Sequence, residues 1–334
     1  MRPSTVTRVA LTAPIVRLFS SSAASAAAAP FRPRRSFLYI PGSSAKMLAK
    51  PVASYGADTV CLDLEDGVAA NQKSEARALI SQHLQSQSAP ASVERMVRIN
   101  PMSTRQGVED LEFVLAQPVL PDGICIPKLD TPAELTEAAE MIAAAEARVS
   151  AATGKFVPRL PIIGLIESPL SLMNLRDITT TRGSDRLAGV IFGGDDYGSA
   201  VGATRTASNH ELAFARGWTL TVAKAAGIQA IDIVHKTFKD QDGLRAECQE
   251  AAEMGYTGKQ LIHPLQVATT NELFAPSPAL LRWAKKVVDA AAHHQSLGTG
   301  AFALDGVMID MPTVKLAAGL YARGIACGVT PAAE

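Results

Sequence analysis

Acidic residues follow short apolar runs at several places in this sequence, where strands of a β-sheet would end. The clearest are Asp66 in DLEDG, Glu167 in LIES and Asp196 in FGGDD, and Arg98 in VRIN lies between the first two. Carboxylate oxygens are preferred ligands of hard divalent cations such as Mg²⁺, which keep water molecules that a substrate can displace. The planar guanidinium of Arg98 suits a substrate carboxylate. The pattern indicates a cation site beside an anion site.

These side chains form one site only if the fold brings the strand ends together. Neighbouring strands lie about 4.8 Å apart, so Glu167 at the end of the fifth run and Asp196 at the end of the sixth can share one ion. An ordinary ion-pair network is the alternative. The polar residues at or just after the runs are Asp63, Glu65, Asp66, Arg98, Asn100, Lys128, Glu167, Asp195, Asp196, Asp232 and His263.

The apolar runs predict strands that are covered on both faces, because they are rich in Ile, Val and Leu and lack polar alternation. Helix signals separate them, such as a capping box at Thr131 and Glu134 and a stop at Gly255. The runs are residues 36–40, 58–64, 95–100, 123–129, 161–168, 187–196, 228–234 and 258–263. Eight strands with helices between them predict an α/β protein, a (β/α)8 TIM barrel with its chemistry at the carboxyl ends of the strands. A doubly wound open sheet is the alternative, but no G-x-G-x-x-G follows the first run.

The chain is predicted to have three parts. Residues 34–275 form the barrel, and residues 276–334 form a C-terminal helical extension and lid. Residues 1–33 are Arg- and Ser-rich, and the first acidic residue of the chain is Asp58. That composition is typical of a mitochondrial transit peptide and linker, which implies a matrix protein. A disordered tail without targeting meaning is the alternative.

Composition and charge exclude several classes of protein. Apolar residues make up 47% of the chain and charged residues 19%, which excludes disorder as the dominant state. The formal net charge is +0 and the body has no basic stripe, so no nucleic-acid partner is expected. No uncharged apolar run reaches about 18 residues, so no membrane partner is expected either. The four cysteines lie far apart, which argues against zinc and disulfide frameworks.

Seven motifs occur in order along the predicted barrel. They are RSFLYIPGSSAKML, DLEDGV, VRIN, IPKLD, LIESPLSLMN, FGGDDYG and GKQLIHPLQV. Together they resemble the citrate lyase β-subunit (HpcH/HpaI aldolase) family, over about residues 34–320. The resemblance implies a β/α barrel, a Mg²⁺ cofactor, acyl-CoA and small 2-oxo acid substrates, a homotrimer, and cleavage or formation of a carbon–carbon bond.

The resemblance also implies roles for single residues. Glu167 and Asp196 resemble the metal ligands, Arg98 resembles the arginine that binds the substrate carboxylate, and Asp66 resembles the acid that supports the metal-bound waters and that arginine. Residues that resemble the substrate- and CoA-binding stretch are Arg35, Tyr39, Pro41, Gly42, Lys46 and Glu65.

The tail contributes a further expectation. Family members carry an acidic residue in a C-terminal lid that reaches a neighbouring subunit's site, and DGVMID offers Asp305 and Asp310 as its counterpart. The Gly-flanked position favours Asp305. Helix capping at the start of the last helix is the alternative for both residues.

The predicted reaction is the Mg²⁺-dependent cleavage of a 3-hydroxyacyl-CoA. A bound cation polarises the oxygen at C2 of the oxo or hydroxy acid, and a carboxylate moves the proton of the acetyl methyl group. Citramalyl-CoA, cleaved to acetyl-CoA and pyruvate, is the substrate that a mitochondrial setting favours. The alternatives are a malate- or methylmalate-synthase type of enzyme that ends in thioester hydrolysis, a citryl-CoA lyase, and a non-catalytic scaffold that keeps the barrel.

Overall fold

A computed structural model describes residues 31–296 and 301–331 of the chain. The predicted transit peptide therefore lies outside the described residues, apart from residues 31–33. One compact unit spans Arg34–Phe274, and the described residues from Ala275 onward belong to a second unit. Within the described residues, no helix combines the length and the apolarity that crossing a membrane requires.

The first unit is a closed barrel of eight parallel strands in the order of the sequence, completed by pairing of the eighth strand with the first. The strands are β1 Ser36–Pro41, β2 Thr59–Asp63, β3 Glu94–Arg98, β4 Gly123–Ile126, β5 Ile162–Ile166, β6 Leu187–Phe192, β7 Gln229–Asp232 and β8 Gly258–Leu261. Each predicted run overlaps one strand, so the TIM barrel is confirmed and the open doubly wound sheet is wrong.

Helices follow the strands and cover the barrel. They are α1 Ala45–Leu48, α2 Lys73–Ser86, α3 Arg105–Ala116, α4 Pro132–Thr153, α5 Pro169–Ile178, α6 Gly194–Ala200, α7 Ala213–Ala225, α8 Gln241–Met254 and α9 Val267–Leu273. The predicted capping box is present, since Thr131 accepts from the N–H of Glu134 and Glu134 accepts in return. Gly255 ends α8 in a left-handed conformation with φ of 110°.

The strands bury side chains on both faces, which explains why they lack polar alternation. Their outer faces pack against the helices. The inner faces fill the barrel with Phe37, Cys61, Met96, Cys125, Ile163, Leu165, Ile191 and Ile231. Above this apolar filling, polar side chains project from the carboxyl ends of the strands.

The second unit has its own small core. It contains α10 Pro278–Ser296, an antiparallel hairpin of β9 Phe302–Leu304 and β10 Val307–Ile309, and α11 Met311–Ala326. The turn of the hairpin is Asp305-Gly306, with φ of 49° and 79°. Two consecutive positive φ angles match the type I′ turn, whose twist suits tight hairpins. The part of the predicted lid loop that is described is therefore a structured hairpin.

Candidate active site at the carboxyl end of the barrel

Arg98 is the last residue of β3 and is in register with Asp63, the last residue of β2. Its Nε and Nη2 donate to the two carboxylate oxygens of Asp63 over 2.7 and 2.6 Å. The guanidinium also lies 4.3 Å from the ring centroid of Tyr39 on β1. Burial works against the charge of Arg98, but the bonds to Asp63 outweigh it and raise the pKa of the guanidinium. Arg98 is thus a rigidly held cation.

Glu65 lies beyond the end of β2 and bridges two cations. One of its oxygens is 2.8 Å from Nη1 of Arg98, and the other is 3.0 Å from Nζ of Lys128. The carboxylate is buried, and burial raises its pKa even though Arg98 and Lys128 oppose the shift. Through Lys128, Glu65 therefore links Arg98 to Glu167 and Asp196, the carboxylates that follow β5 and β6.

Glu167 follows β5, immediately before a capping box at Ser168 that starts α5. Its Oε1 accepts the backbone N–H of Lys128 over 2.7 Å. Gly193 permits this placement, because a Cβ there would stand 2.5 Å from the Cβ of Glu167. Burial, together with the charges of Glu65 and Asp196, raises the pKa of Glu167 to about 8. Among the described residues, no group donates a hydrogen bond to its Oε2.

The two aspartates of FGGDDYG face different partners. Asp195 pairs through Oδ1 with Arg205 and with Nζ of Lys236, the latter at 3.0 Å. Asp196 lies instead on the side of the carboxylate cluster, with Oδ2 3.7 Å from Nζ of Lys128. Asp196 accepts no hydrogen bond among the described residues, and its assignment as a metal ligand stays a prediction.

Lys128 contacts all three carboxylates of the cluster, namely Glu65, Glu167 and Asp196. It follows β4 with φ of 46°, a left-handed conformation that costs energy for a residue with a side chain and that directs its N–H at Glu167. Burial would lower the pKa of its ammonium, but Glu65, then Glu167 and Asp196, raise it above its usual value. Lys128 is thus a charged group among three carboxylates.

The donor set fits a hard cation. All candidate ligands are carboxylate oxygens, and within the described part of the chain Oε2 of Glu167 accepts no hydrogen bond. Within residues 31–296 and 301–331, no three His, Cys, Asp or Glu side chains converge closely enough to hold an ion by themselves. A site with two protein carboxylates and several waters is the kind that Mg²⁺ uses.

The segment after β1 lies beside this cluster. Pro41 is in register with Asp63, and the N–H of Gly42 donates to the carbonyl of Asp63 over 2.8 Å. Lys46 is exposed on α1. The hydroxyl of Tyr39 donates to Gln260 on β8 over 3.0 Å. Four of the residues that were predicted to bind substrate or CoA therefore lie on or just after β1.

Two predicted residues are placed differently. Arg35 precedes β1, at the opposite end of the barrel, where its Nε and Nη2 each lie 2.8 Å from Asp58. It lies away from the carboxylate cluster, and its assignment to the CoA site stays a prediction. Asp66 is exposed and makes no hydrogen bond or ion pair among the described residues. Support of Arg98 comes from Asp63 and Glu65, whereas a role of Asp66 towards metal-bound waters stays a prediction.

The two tail aspartates differ in local function. Asp310 caps α11, since its Oδ1 accepts from the N–H and the hydroxyl of Thr313 over 3.0 and 2.6 Å. These bonds lower its pKa. Asp305 is exposed at the hairpin turn and pairs with Lys286 at 2.7 Å. The capping alternative therefore holds for Asp310 and not for Asp305.

Two residues of the cluster, Asp63 and Lys128, have no functional role among the predictions made from the sequence. Asp63 is one of the polar residues at the strand ends, and its position opposite the arginine of VRIN becomes a usable signal once the two neighbouring strands are aligned. Lys128 likewise stands at a strand end in the sequence. No feature of the sequence predicts its left-handed backbone conformation.

Comparison with known proteins identifies the family of the chain. Residues 35–264 match the family model of the HpcH/HpaI aldolase/citrate lyase family. The chain belongs to this family. It is a family of carbon–carbon lyases and aldolases that act on CoA thioesters, and the chain is a citrate lyase β-like enzyme with a TIM barrel.

Three relatives illustrate the range of this family. Mitochondrial citramalyl-CoA lyase of Rattus norvegicus is 38% identical over 85% of this chain and 84% of its own length. (3S)-Malyl-CoA thioesterase of Cereibacter sphaeroides is 35% identical over 83% of this chain and 90% of its own. The crystal structure of CitE from Mycobacterium tuberculosis, in complex with magnesium, acetoacetate and coenzyme A, superposes with a TM-score of 0.68 at 28% identity. That comparison covers 87% of this chain and 98% of the other.

Proposed function

We propose that the protein is a Mg²⁺-dependent lyase that cleaves a 3-hydroxyacyl-CoA, citramalyl-CoA first, to acetyl-CoA and pyruvate. The observation that carries the proposal is the meeting of Arg98 and Glu65 with Glu167 and Asp196 at one end of the barrel. The citramalyl-CoA lyase of the rat and the magnesium complex of the mycobacterial protein support the substrate and the metal.

Arg98 binds the carboxylate of the oxo-acid half. Two of its five N–H groups are donated to Asp63 and Nη1 lies 2.8 Å from Glu65, so one N–H group on each terminal nitrogen remains for a two-point contact with the substrate. Because Asp63 and the ring of Tyr39 hold the guanidinium, it enters the complex without losing much side-chain freedom.

Glu167 and Asp196 would hold the ion, and Glu65 and Lys128 fix the carboxylate cluster around them. When bound there, Mg²⁺ supplies Lewis-acid polarisation of the oxygen at C2. The proton of the acetyl methyl group is moved by a carboxylate, for which we favour Asp305 at the hairpin turn. Asp310 is the weaker candidate, because its carboxylate is engaged by Thr313 and its pKa is lowered.

Assembly and location are part of the proposal. Residues 276–334 act as a lid that reaches the site of a neighbouring chain in a homotrimer. Residues 1–33 direct the protein to the mitochondrial matrix, which their composition and the mitochondrial relatives support. Asp66 is proposed to orient metal-bound water.

A hydrolytic outcome is the second candidate, since the similar protein of Cereibacter sphaeroides is a malyl-CoA thioesterase. The two outcomes differ in their products. Purified full-length protein with Mg²⁺ is offered citramalyl-, malyl-, methylmalyl- and citryl-CoA, and the thiol products are separated by chromatography. The lyase yields acetyl-CoA or propionyl-CoA with an oxo acid and prefers citramalyl-CoA. Release of free CoA with an intact hydroxy acid would instead establish the thioesterase.

A further inference from the structure

The ammonium of Lys128 lies among the same carboxylate oxygens that a divalent ion would need. Its Nζ is 3.0 Å from Oε1 of Glu65 and 3.7 Å from Oδ2 of Asp196. Its backbone N–H, a separate group, is 2.7 Å from Oε1 of Glu167. One residue therefore contacts all three carboxylates, two through its side chain and one through its main chain.

These contacts give the side chain and the backbone of Lys128 different tasks. The backbone N–H occupies one oxygen of Glu167 and leaves the other for a ligand. The left-handed φ of 46° that makes this possible is unusual for a lysine. The side chain neutralises carboxylates that would otherwise repel one another in a partly buried site. It is 38% exposed, so the ammonium has room to move away.

We propose that Lys128 is a tethered cation that competes with the divalent ion for Asp196 and holds the carboxylate cluster together when no ion is bound. A Mg²⁺ ion binds a carboxylate oxygen at about 2.1 Å, and the ammonium of Lys128, 3.7 Å from Oδ2 of Asp196, repels an ion bound to that carboxylate. Lys128 is thus a positioning residue that lowers the affinity for the ion and protects the ion-free site. The inference rests on the proposed metal site.

Lys128→Met tests this, because it removes the charge and leaves the backbone N–H in place. Mg²⁺ affinity is measured by isothermal titration calorimetry without substrate, and Tm is measured on the full chain after dialysis against EDTA. We expect Mg²⁺ to bind at least about tenfold more tightly than in the wild-type protein. The Tm in EDTA should fall by at least about 3 °C and recover in saturating Mg²⁺.

Two further variants make the comparison specific. Lys128→Arg keeps the charge and should keep the wild-type affinity. Lys236→Met removes an equally short ion pair from the neighbouring Asp195 and should leave Mg²⁺ affinity within about twofold. If Lys128→Met does not fold in EDTA, Lys128→Gln provides the same titration, since its amide can still contact Glu65.

A merely structural role would weaken Mg²⁺ binding or leave it unchanged in Lys128→Met, and either result would overturn the inference. An unchanged Tm in EDTA would overturn it as well. If the wild-type protein bound no Mg²⁺ at all, the metal dependence in the proposed function would be refuted, and this inference would be refuted with it. Equal Mg²⁺ affinities of the wild-type protein and Lys128→Met would refute the inference alone.

Discussion

Asp63 holds Arg98 through two parallel hydrogen bonds of 2.7 and 2.6 Å across the ends of two neighbouring strands. Both side chains are buried, and the pair leaves the outer edge of the guanidinium facing the carboxylate cluster. A fixed planar fork is the geometry that distinguishes arginine from lysine in carboxylate recognition.

Arg98→Lys should therefore not behave as a conservative change. The charge stays, but the fork and the second bond to Asp63 are lost. We expect kcat/KM to fall by about 10- to 100-fold, mostly through KM. Arg35→Lys is the matched control, because Arg35 forms the same kind of two-point pair with Asp58 at the other end of the barrel. Equal losses of kcat/KM in the two variants would show that the effect is structural.

Glu167→Gln and Asp196→Asn should each abolish the metal-dependent reaction. Both changes keep the size of the side chain and remove a charge that the ion needs. Turnover should fall by at least about 1,000-fold, with weaker Mg²⁺ binding in calorimetry and an intact fold by circular dichroism. Asp195→Asn, at an aspartate already paired with Arg205 and Lys236, should retain most activity. Loss of activity in Asp195→Asn alone would show that Asp195, and not Asp196, is the metal ligand.

The raised pKa of Glu167 predicts a specific dependence of stability on pH. Between about 4.5 and about 8, the folded protein binds a proton at Glu167 that the unfolded chain has already released. In EDTA, the free energy of unfolding should thus decrease as pH rises through this window, by up to about 5 kcal/mol.

Glu167→Gln carries no such proton and tests this dependence. In EDTA it should have nearly the wild-type Tm at pH 5 and a higher Tm than the wild type at pH 8. Saturating Mg²⁺ should raise the Tm of the wild-type protein and have little effect on the variant. Parallel curves of Tm against pH for the two proteins would contradict the assigned environment of Glu167.

Much of the barrel could be predicted from the sequence, because its strands are short, apolar on both faces and separated by clear helix signals. The capping box at Thr131 and the stop at Gly255 are local features that do not depend on tertiary contacts. Glu167 and Asp196 were predicted for a similar reason, since both follow a strand at the end where a barrel carries its chemistry.

The remaining features depend on register and backbone angles that single motifs do not encode. Arg35 and Pro41 stand in one motif, yet β1 separates them by about 20 Å, so only Pro41 lies at the end that carries the cluster. The pairing of Asp63 with Arg98 requires the alignment of β2 with β3. The position of Lys128 requires a positive φ that lysine rarely adopts.

Asp305→Asn should reduce kcat and leave binding of the ion and of CoA nearly intact, because the carboxylate is used in proton transfer and not in binding. Asparagine tolerates the left-handed φ of the turn, so the hairpin should survive. Asp310→Asn keeps an oxygen that caps α11 and removes only the charge, so it should change Tm little and have little effect on kcat. The opposite pattern, with loss of kcat in Asp310→Asn only, would move the catalytic carboxylate to Asp310.

Mixing two inactive chains tests whether the lid serves a neighbouring subunit. Asp305→Asn and Glu167→Gln chains are co-refolded, so that hybrid trimers contain sites with an intact barrel and an intact lid. Partial recovery of turnover is expected if the lid acts across the subunit boundary. No recovery, with trimers present by analytical ultracentrifugation, would place the lid over its own barrel.

The most direct measurement is the yield of both products from citramalyl-CoA in the presence and absence of Mg²⁺. The purified full-length protein is treated with EDTA, assayed, and assayed again after Mg²⁺ is added in excess. Equal amounts of acetyl-CoA and pyruvate should form with Mg²⁺, with turnover lost in EDTA and restored by the metal. Undiminished turnover in EDTA, or release of free CoA together with citramalate, would contradict the assignment of a metal-dependent lyase.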